Sequence, residues 1–181
     1  MGGRAPNSGV VRVNVVENGD EGVMFPRLIP SSALVVFLAG LLRWILPLNV
    51  LSDIASVEQV DTGWLSALGM VLAATGIAIS LAGYRALRRH GAEVEPLQPA
   101  KVLVTDGIFA WTRNPCYLGW LIALLGVALM FMLDWLVILI GPTWIVLHLT
   151  VVRAEERHLA KRFGETYAAY RGRVPRYLFM H

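Results

Sequence analysis

Apolar positions in this chain gather into long runs instead of recurring as short stripes. Residues 64–84 carry no charged side chain, about the length a helix needs to cross a hydrocarbon core. Residues 118–152 run further with one acid, Asp134, which suits two shorter spans joined by a tight turn. Together with the apolar stretch that follows Leu28, the pattern predicts membrane-spanning helices over 28–51, 62–84, 117–132 and 135–152. Asp61 or Thr62 caps the second of these. Arg85, Arg88, Arg89 and His90, ahead of Gly91, suit its negative C-terminal end. Gly69, Ala73, Gly76, Ser80 and Gly83 line one face of that helix, and Gly119, Ala123 and Gly126 line one face of the third. Small faces let helix backbones approach in lipid. Packing between helices is the first reading of them, and a homodimer through the same faces is the second.

Composition sharpens the bilayer reading. The chain has 181 residues, 56% apolar and only 16% charged, where a soluble domain carries roughly a quarter charged residues. Cys116 is the sole cysteine, so neither an intrachain disulfide nor a thiolate metal cluster is available, and no metal is expected. Residues 1–27 lack a continuous apolar core and read as a mobile tail, not a cleaved signal. The net charge of +3 matters less than its distribution, and no nucleic-acid partner is expected. The first loop holds Asp53, Glu58 and Asp61 without Lys or Arg, whereas the middle loop and the C-terminal tail are basic. Basic loops stay cytoplasmic, so both termini and the middle loop belong on that side. The arginine-rich, lysine-poor composition points to a bacterial inner membrane.

The expected architecture is therefore an all-α integral membrane protein. About four transmembrane helices carry a cytoplasmic cap made from residues 85–116 and 153–181, with 28–181 forming one domain. Within the cap two segments carry chemistry. Arg113-Asn114-Pro115 sits at the mouth of the third helix, where proline favours a helix start and free N–H groups attract anions. Glu155-Glu156 places two carboxylates at the cytoplasmic end of the fourth helix. There they need cations, from Arg113, Arg153 and Arg157 or from a positively charged ligand. From Glu155 to Arg171 the apolar residues Leu159, Phe163, Tyr167 and Tyr170 recur at near-helical spacing. That makes an amphipathic surface helix, able to dock on the membrane or to close a pocket.

The order of these motifs resembles a known family. Leu103-Val104-x-x-Gly107-x-Phe109, then Arg113-Asn114-Pro115-x-Tyr117-x-Gly119, then Glu155-Glu156-x-x-Leu159 and Phe163-Gly164-x-x-Tyr167-x-x-Tyr170 are similar to the isoprenylcysteine carboxyl methyltransferase and phospholipid methyltransferase superfamily. The resemblance covers about half the chain, from Gly91 to Tyr177. It implies S-adenosylmethionine as cofactor, bound at the cytoplasmic face, and a lipophilic acceptor entering from the bilayer. Carried over by position, it implies cofactor contacts from Arg113, Asn114, Pro115 and Tyr117, from Glu155 and Glu156, and from the main chain at Val104 and Gly107. Asn114 stands where many relatives have histidine. Val151 stands where the prenylcysteine enzymes have an arginine that matters for their substrate. No catalytic residue is assigned, and the acceptor atom (carboxylate, amine or thiol) stays open.

Rival readings attach to the same residues. An NADPH-dependent membrane reductase would require more basic residues and more spans, and a non-enzymatic adaptor would have no cofactor affinity. Arg113 alternatively binds headgroups, Tyr117 anchors the interface, and the paired acids meet Arg153 and Arg157. His148, within the fourth span, reads as a neutral histidine bonded to a neighbouring helix. Arg43 either snorkels or meets an anionic group, and Cys116 is a small apolar filler.

Overall fold

The computed structural model describes residues 10–12, 28–51, 53, 63–90 and 102–178. The chain is mostly helical. Helix α1 spans Leu28–Ile45, α2 Gly63–Arg89, α3 Pro115–Met130, α4 Asp134–Leu147 and α5 Arg153–Arg173. Strands β1 (Val10–Arg12) and β2 (Val102–Val104) pair antiparallel, with Val11 opposite Leu103. A short 3-10 turn, Gly107–Ala110, follows β2.

The strand pair departs from an all-helical expectation for a physical reason. Val102-Leu103-Val104 alternates its side chains across an extended backbone. Leu103 enters a cluster with Phe163, Tyr167, Tyr170 and Val174, while Val102 and Val104 join Phe109 against Ala86 and Leu87 of α2. The strip is thus buried on both sides, and β1 supplies main-chain partners that buried backbone requires. The remainder of the tail, the expected cap at Asp61 or Thr62 and the closing Gly91 lie outside the described residues.

Helix ends follow local chemistry. The first apolar segment was expected to remain helical to residue 51, but α1 stops at Ile45, because Pro47 disfavours helical backbone just before it. Helix α2 instead continues to Arg89, about a turn and a half beyond its apolar run. Between α3 and α4 the chain reverses through Met132 at φ 50°. Asp134, buried at the start of α4, accepts the Leu51 N–H at 2.9 Å. Arg43 Nη1 donates to the Met132 carbonyl at 3.0 Å, so this arginine braces the reversal.

Helices α2 and α3 form the tightest seam among the described residues. A Cβ added at Gly126 would lie 2.6 Å from the Gly69 carbonyl oxygen and 2.7 Å from Ala73 Cα. One added at Gly119 would lie 2.6 Å from Ser80 N. Both small-residue faces therefore meet each other within one chain, and Ser80 Oγ donates to the Cys116 carbonyl across the seam at 2.8 Å. Cys116 itself fills the space over Gly83. On the other side of α3, Ala39, Leu124, Ala128 and Leu136 join α1, α3 and α4.

Outward surfaces stay apolar: Phe37, Trp44, Val71 and Ile145 are all exposed. Faces of that size fit lipid far better than water. By length and composition α2 and the continuous helix from Asp134 to Arg173 are long and apolar enough to cross a membrane, and α1 and α3 are shorter apolar helices.

Helix α4 passes into α5 without a break, through a π-turn at His148–Val152. Such a turn inserts one residue and re-aims every side chain after it. Gly164, at φ 51° and ψ −125°, kinks α5 in a conformation that costs other residues a steric penalty. The kink lies beside Phe163, whose ring enters the Leu103 cluster.

Candidate functional site

Three stretches distant in sequence converge: the turn 112–117, the start of α5, and the tail 174–177. Pro115 opens α3, where its missing N–H is harmless. The tail then lies along the preceding turn. Arg113 N–H donates to the Pro175 carbonyl at 3.0 Å. The Arg176 carbonyl accepts from Thr112 Oγ1 at 3.0 Å and from Asn114 Nδ2 at 3.3 Å. Tyr170 OH donates to the Phe109 carbonyl at 2.7 Å, tying α5 to the 3-10 turn.

Two neighbouring carboxylates receive unlike treatment. Glu156 is gripped from both sides: Arg113 Nη1 donates to Oε1 at 2.7 Å, and Arg176 donates from Nε at 3.0 Å and from Nη2 to Oε2 at 2.7 Å. The Arg113 and Glu156 side chains retain only 3% and 10% of their exposure, so the Glu156 carboxylate is buried and more than neutralised by its two cations. Glu155 instead accepts a single described hydrogen bond, from Tyr117 OH at 2.6 Å. Burial pushes the Glu155 carboxyl up to about 7, the Tyr117 hydrogen bond opposes that rise, and the Glu156 charge adds to it. Burial also raises the phenols of Tyr167 and Tyr170, which keeps both as protonated donors.

Above this cluster His148 Nδ1 shares a hydrogen bond with Tyr177 OH at 3.3 Å. Trp144 packs against both rings. The partner of His148 is therefore the tail, not a neighbouring helix.

Sequence reasoning expected the turn and the acidic pair to be neighbours, and they are. Arg113 meets Glu156 and Tyr117 meets Glu155, which settles neither residue at a headgroup surface; Tyr117 is 1% exposed. Exposed Arg153 and Arg157 are not the cations that hold Glu156. Val104 commits its side chain to packing with Phe109, and Gly107, at φ 56°, starts the 3-10 turn. Thr112 and Arg176 lie in the two segments that the sequence singles out, next to Arg113 and after Pro175, but the pattern gives neither a role.

A sequence profile of the phospholipid methyltransferase family matches residues 64–166. The chain belongs to that family. The matched region contains Arg113 to Tyr117 and both glutamates, while Arg176 and Tyr177 lie beyond it. Among curated relatives of this family member, a protein-S-isoprenylcysteine O-methyltransferase from Rattus norvegicus is 30% identical over 171 residues, 87% of this chain and 56% of the rat protein. The protein of the same description from Schizosaccharomyces pombe is 36% identical over 77 residues, 41% of this chain and 31% of that one. The chain thus spans about half the length of the rat relative or less of the yeast one.

Proposed function

We propose that this chain is an integral membrane methyltransferase that takes its methyl group from S-adenosylmethionine and delivers it to a lipophilic or membrane-embedded acceptor. The observation that carries this reading is the contrast between the two glutamates. Glu156 already has its cations, whereas Glu155 faces a neutral phenol and is held near half-ionisation at neutral pH. A buried carboxylate of that kind gains from an incoming positive charge. S-adenosylmethionine brings an ammonium and a sulfonium, together with a carboxylate and ribose hydroxyls. Buried donors without partners among the described residues remain for its polar groups at Arg113 Nε and at Arg162 Nε and Nη2. The residues present therefore fit the group.

When bound, the cofactor supplies an electrophilic methyl carbon. The chain's own part is placement. Glu155 and Tyr117 receive the cationic end. The Arg113–Glu156–Arg176 clamp fixes α5 on the mouth of α3, so the Glu155 carboxylate keeps its position. Helix α5 and the turn at residues 105–114 shield the site from water. Direct displacement depends on holding acceptor, methyl carbon and sulfur in line, and orientation of this kind accounts for much of a catalysed rate. A dry site further favours attack by an anionic acceptor on a sulfonium, since charge is lost as the bond forms. With the basic loops cytoplasmic, the site opens at the inner face of the bilayer, within reach of an acceptor that partitions into lipid.

Calorimetric titration of S-adenosylmethionine and its demethylated product into detergent-purified protein tests the reading. Ionised Glu155 is the binding form, so affinity should rise about tenfold per pH unit below about 7 and level off above it. Glu155→Gln should bind more weakly with a flat pH profile. A well-folded wild type that binds neither compound, in lipid as in detergent, would overturn the proposal.

A further inference from the structure

Arg162 lies on α5 seven residues beyond Glu155. At about 100° per residue the two directions differ by only about 20°, so both belong to one stripe of the helix. The adjacent stripe is the buried one that carries Glu156 and Phe163. Two guanidinium nitrogens of Arg162, Nε and Nη2, are closed to solvent and have no hydrogen-bond partner among the described residues. Unpaired donors of a charged group are costly when buried, and native structures keep few of them. The identity of the two nitrogens is informative. Nε and Nη2 form the same guanidinium edge with which Arg176 grips the two oxygens of Glu156, at 3.0 and 2.7 Å. That edge is a planar fork matched to a two-oxygen anion.

Resting on the reading of this site as a methyl-donor pocket, we propose that Arg162 binds the α-carboxylate of the donor, with the donor's cationic part toward Glu155. The two residues stand about 10 Å apart along the helix axis. A zwitterion with a carboxylate at one end and positive charge further along bridges a stripe that is cationic at one end and anionic at the other. The same fork chemistry suits a lipid phosphate, and the vesicle arm of the test below separates the two sources.

The test compares three ligands by calorimetry on the full chain: S-adenosylmethionine, S-adenosylhomocysteine, and decarboxylated S-adenosylmethionine, which lacks only the carboxylate. Arg162→Gln should weaken the first two by roughly 10- to 100-fold, the range set by losing a charge-assisted fork, and leave the third unchanged. Arg162→Lys, which keeps stem and charge but not the fork, should recover part of the loss and carries the test if the glutamine variant fails to fold. An equal loss for all three ligands would mean a merely structural role and overturn the proposal. So would unchanged binding of the carboxylated pair alongside lost binding to phosphatidylglycerol vesicles, which would give the fork to a headgroup. Wild type that binds none of the three overturns the donor reading itself, and the fork with it.

Discussion

The α2–α3 seam and the cap around Glu156 are both tight, yet opposite physics holds them. At the seam, glycines 69, 76, 119 and 126 remove side chains so that main chain meets main chain, and dispersion at close range does the holding. In the cap, a guanidinium on each side of one carboxylate joins segments 43 and 20 residues away. The seam has no charge to titrate and nothing to offer a polar ligand. The cap holds Glu156 between two cations and gives Glu155, among the described residues, a tyrosine hydroxyl and no cation. One region makes the scaffold rigid, and the other can therefore keep an unbalanced charge in place without collapsing around it.

The sharpest way to break that contrast is at the seam. Gly126→Leu drives a branched side chain into main-chain atoms of Gly69 and Ala73, which cannot rotate away. Overpacking of this kind costs about 1–3 kcal/mol in adaptable cores, and more is expected against backbone. Loss of the monodisperse peak in fluorescence-detected size exclusion is the expected outcome; an unchanged profile would mean the helices are not in this register.

The clamp should respond less steeply and in a different pattern. Arg113→Ala removes the more buried of the two cations, and breaking a buried pair costs about 3 kcal/mol, read as a lower melting temperature in detergent. Arg113→Met combined with Glu156→Leu should recover most of that stability, because no lone charge stays behind, while losing ligand affinity. If the double variant is as unstable as the single one, the clamp is not acting through charge.

The smallest effect belongs to Tyr117→Phe. The lost hydrogen bond contributes about 1 kcal/mol to stability. Its sharper signature is electrostatic. The Tyr117 hydroxyl lowers the Glu155 pKa, so its removal should move the midpoint of pH-dependent cofactor binding above about 7. A midpoint that stays put would separate Glu155 from the titration.

Much of this was legible beforehand. Charge-free runs marked where α2 and the α3–α4 pair lie, and Pro115 marked the start of α3. The motif residues Arg113, Tyr117, Glu155 and Glu156 do come together in one cluster. Less legible were the partners. Glu155 and Glu156 are adjacent and alike in sequence, and of the candidate cations Arg113, Arg153 and Arg157 only Arg113 pairs with Glu156, joined by Arg176, which was not among them. The π-turn at His148–Val152 re-aims the pair after it, and the Pro175 and Arg176 carbonyls, accepting from the Arg113 main chain and from the Thr112 and Asn114 side chains, bring Arg176 back onto the turn at 112–114. Likewise Val102-Leu103-Val104 reads as a small apolar patch, and only its placement between α2 and α5 makes it a strand.

What the sequence by itself determined is the helical apolar scaffold, the family, and the residue types at the site. These rest on composition, periodicity and local backbone preferences, which act over a few residues. The tertiary structure alone decided which glutamate is paired with arginines and which with a phenol, and that Arg162 has two buried nitrogens without a partner among the described residues. Those outcomes depend on burial and on contacts between segments far apart in the chain, where a shift of one residue in a helix changes which charge is paired.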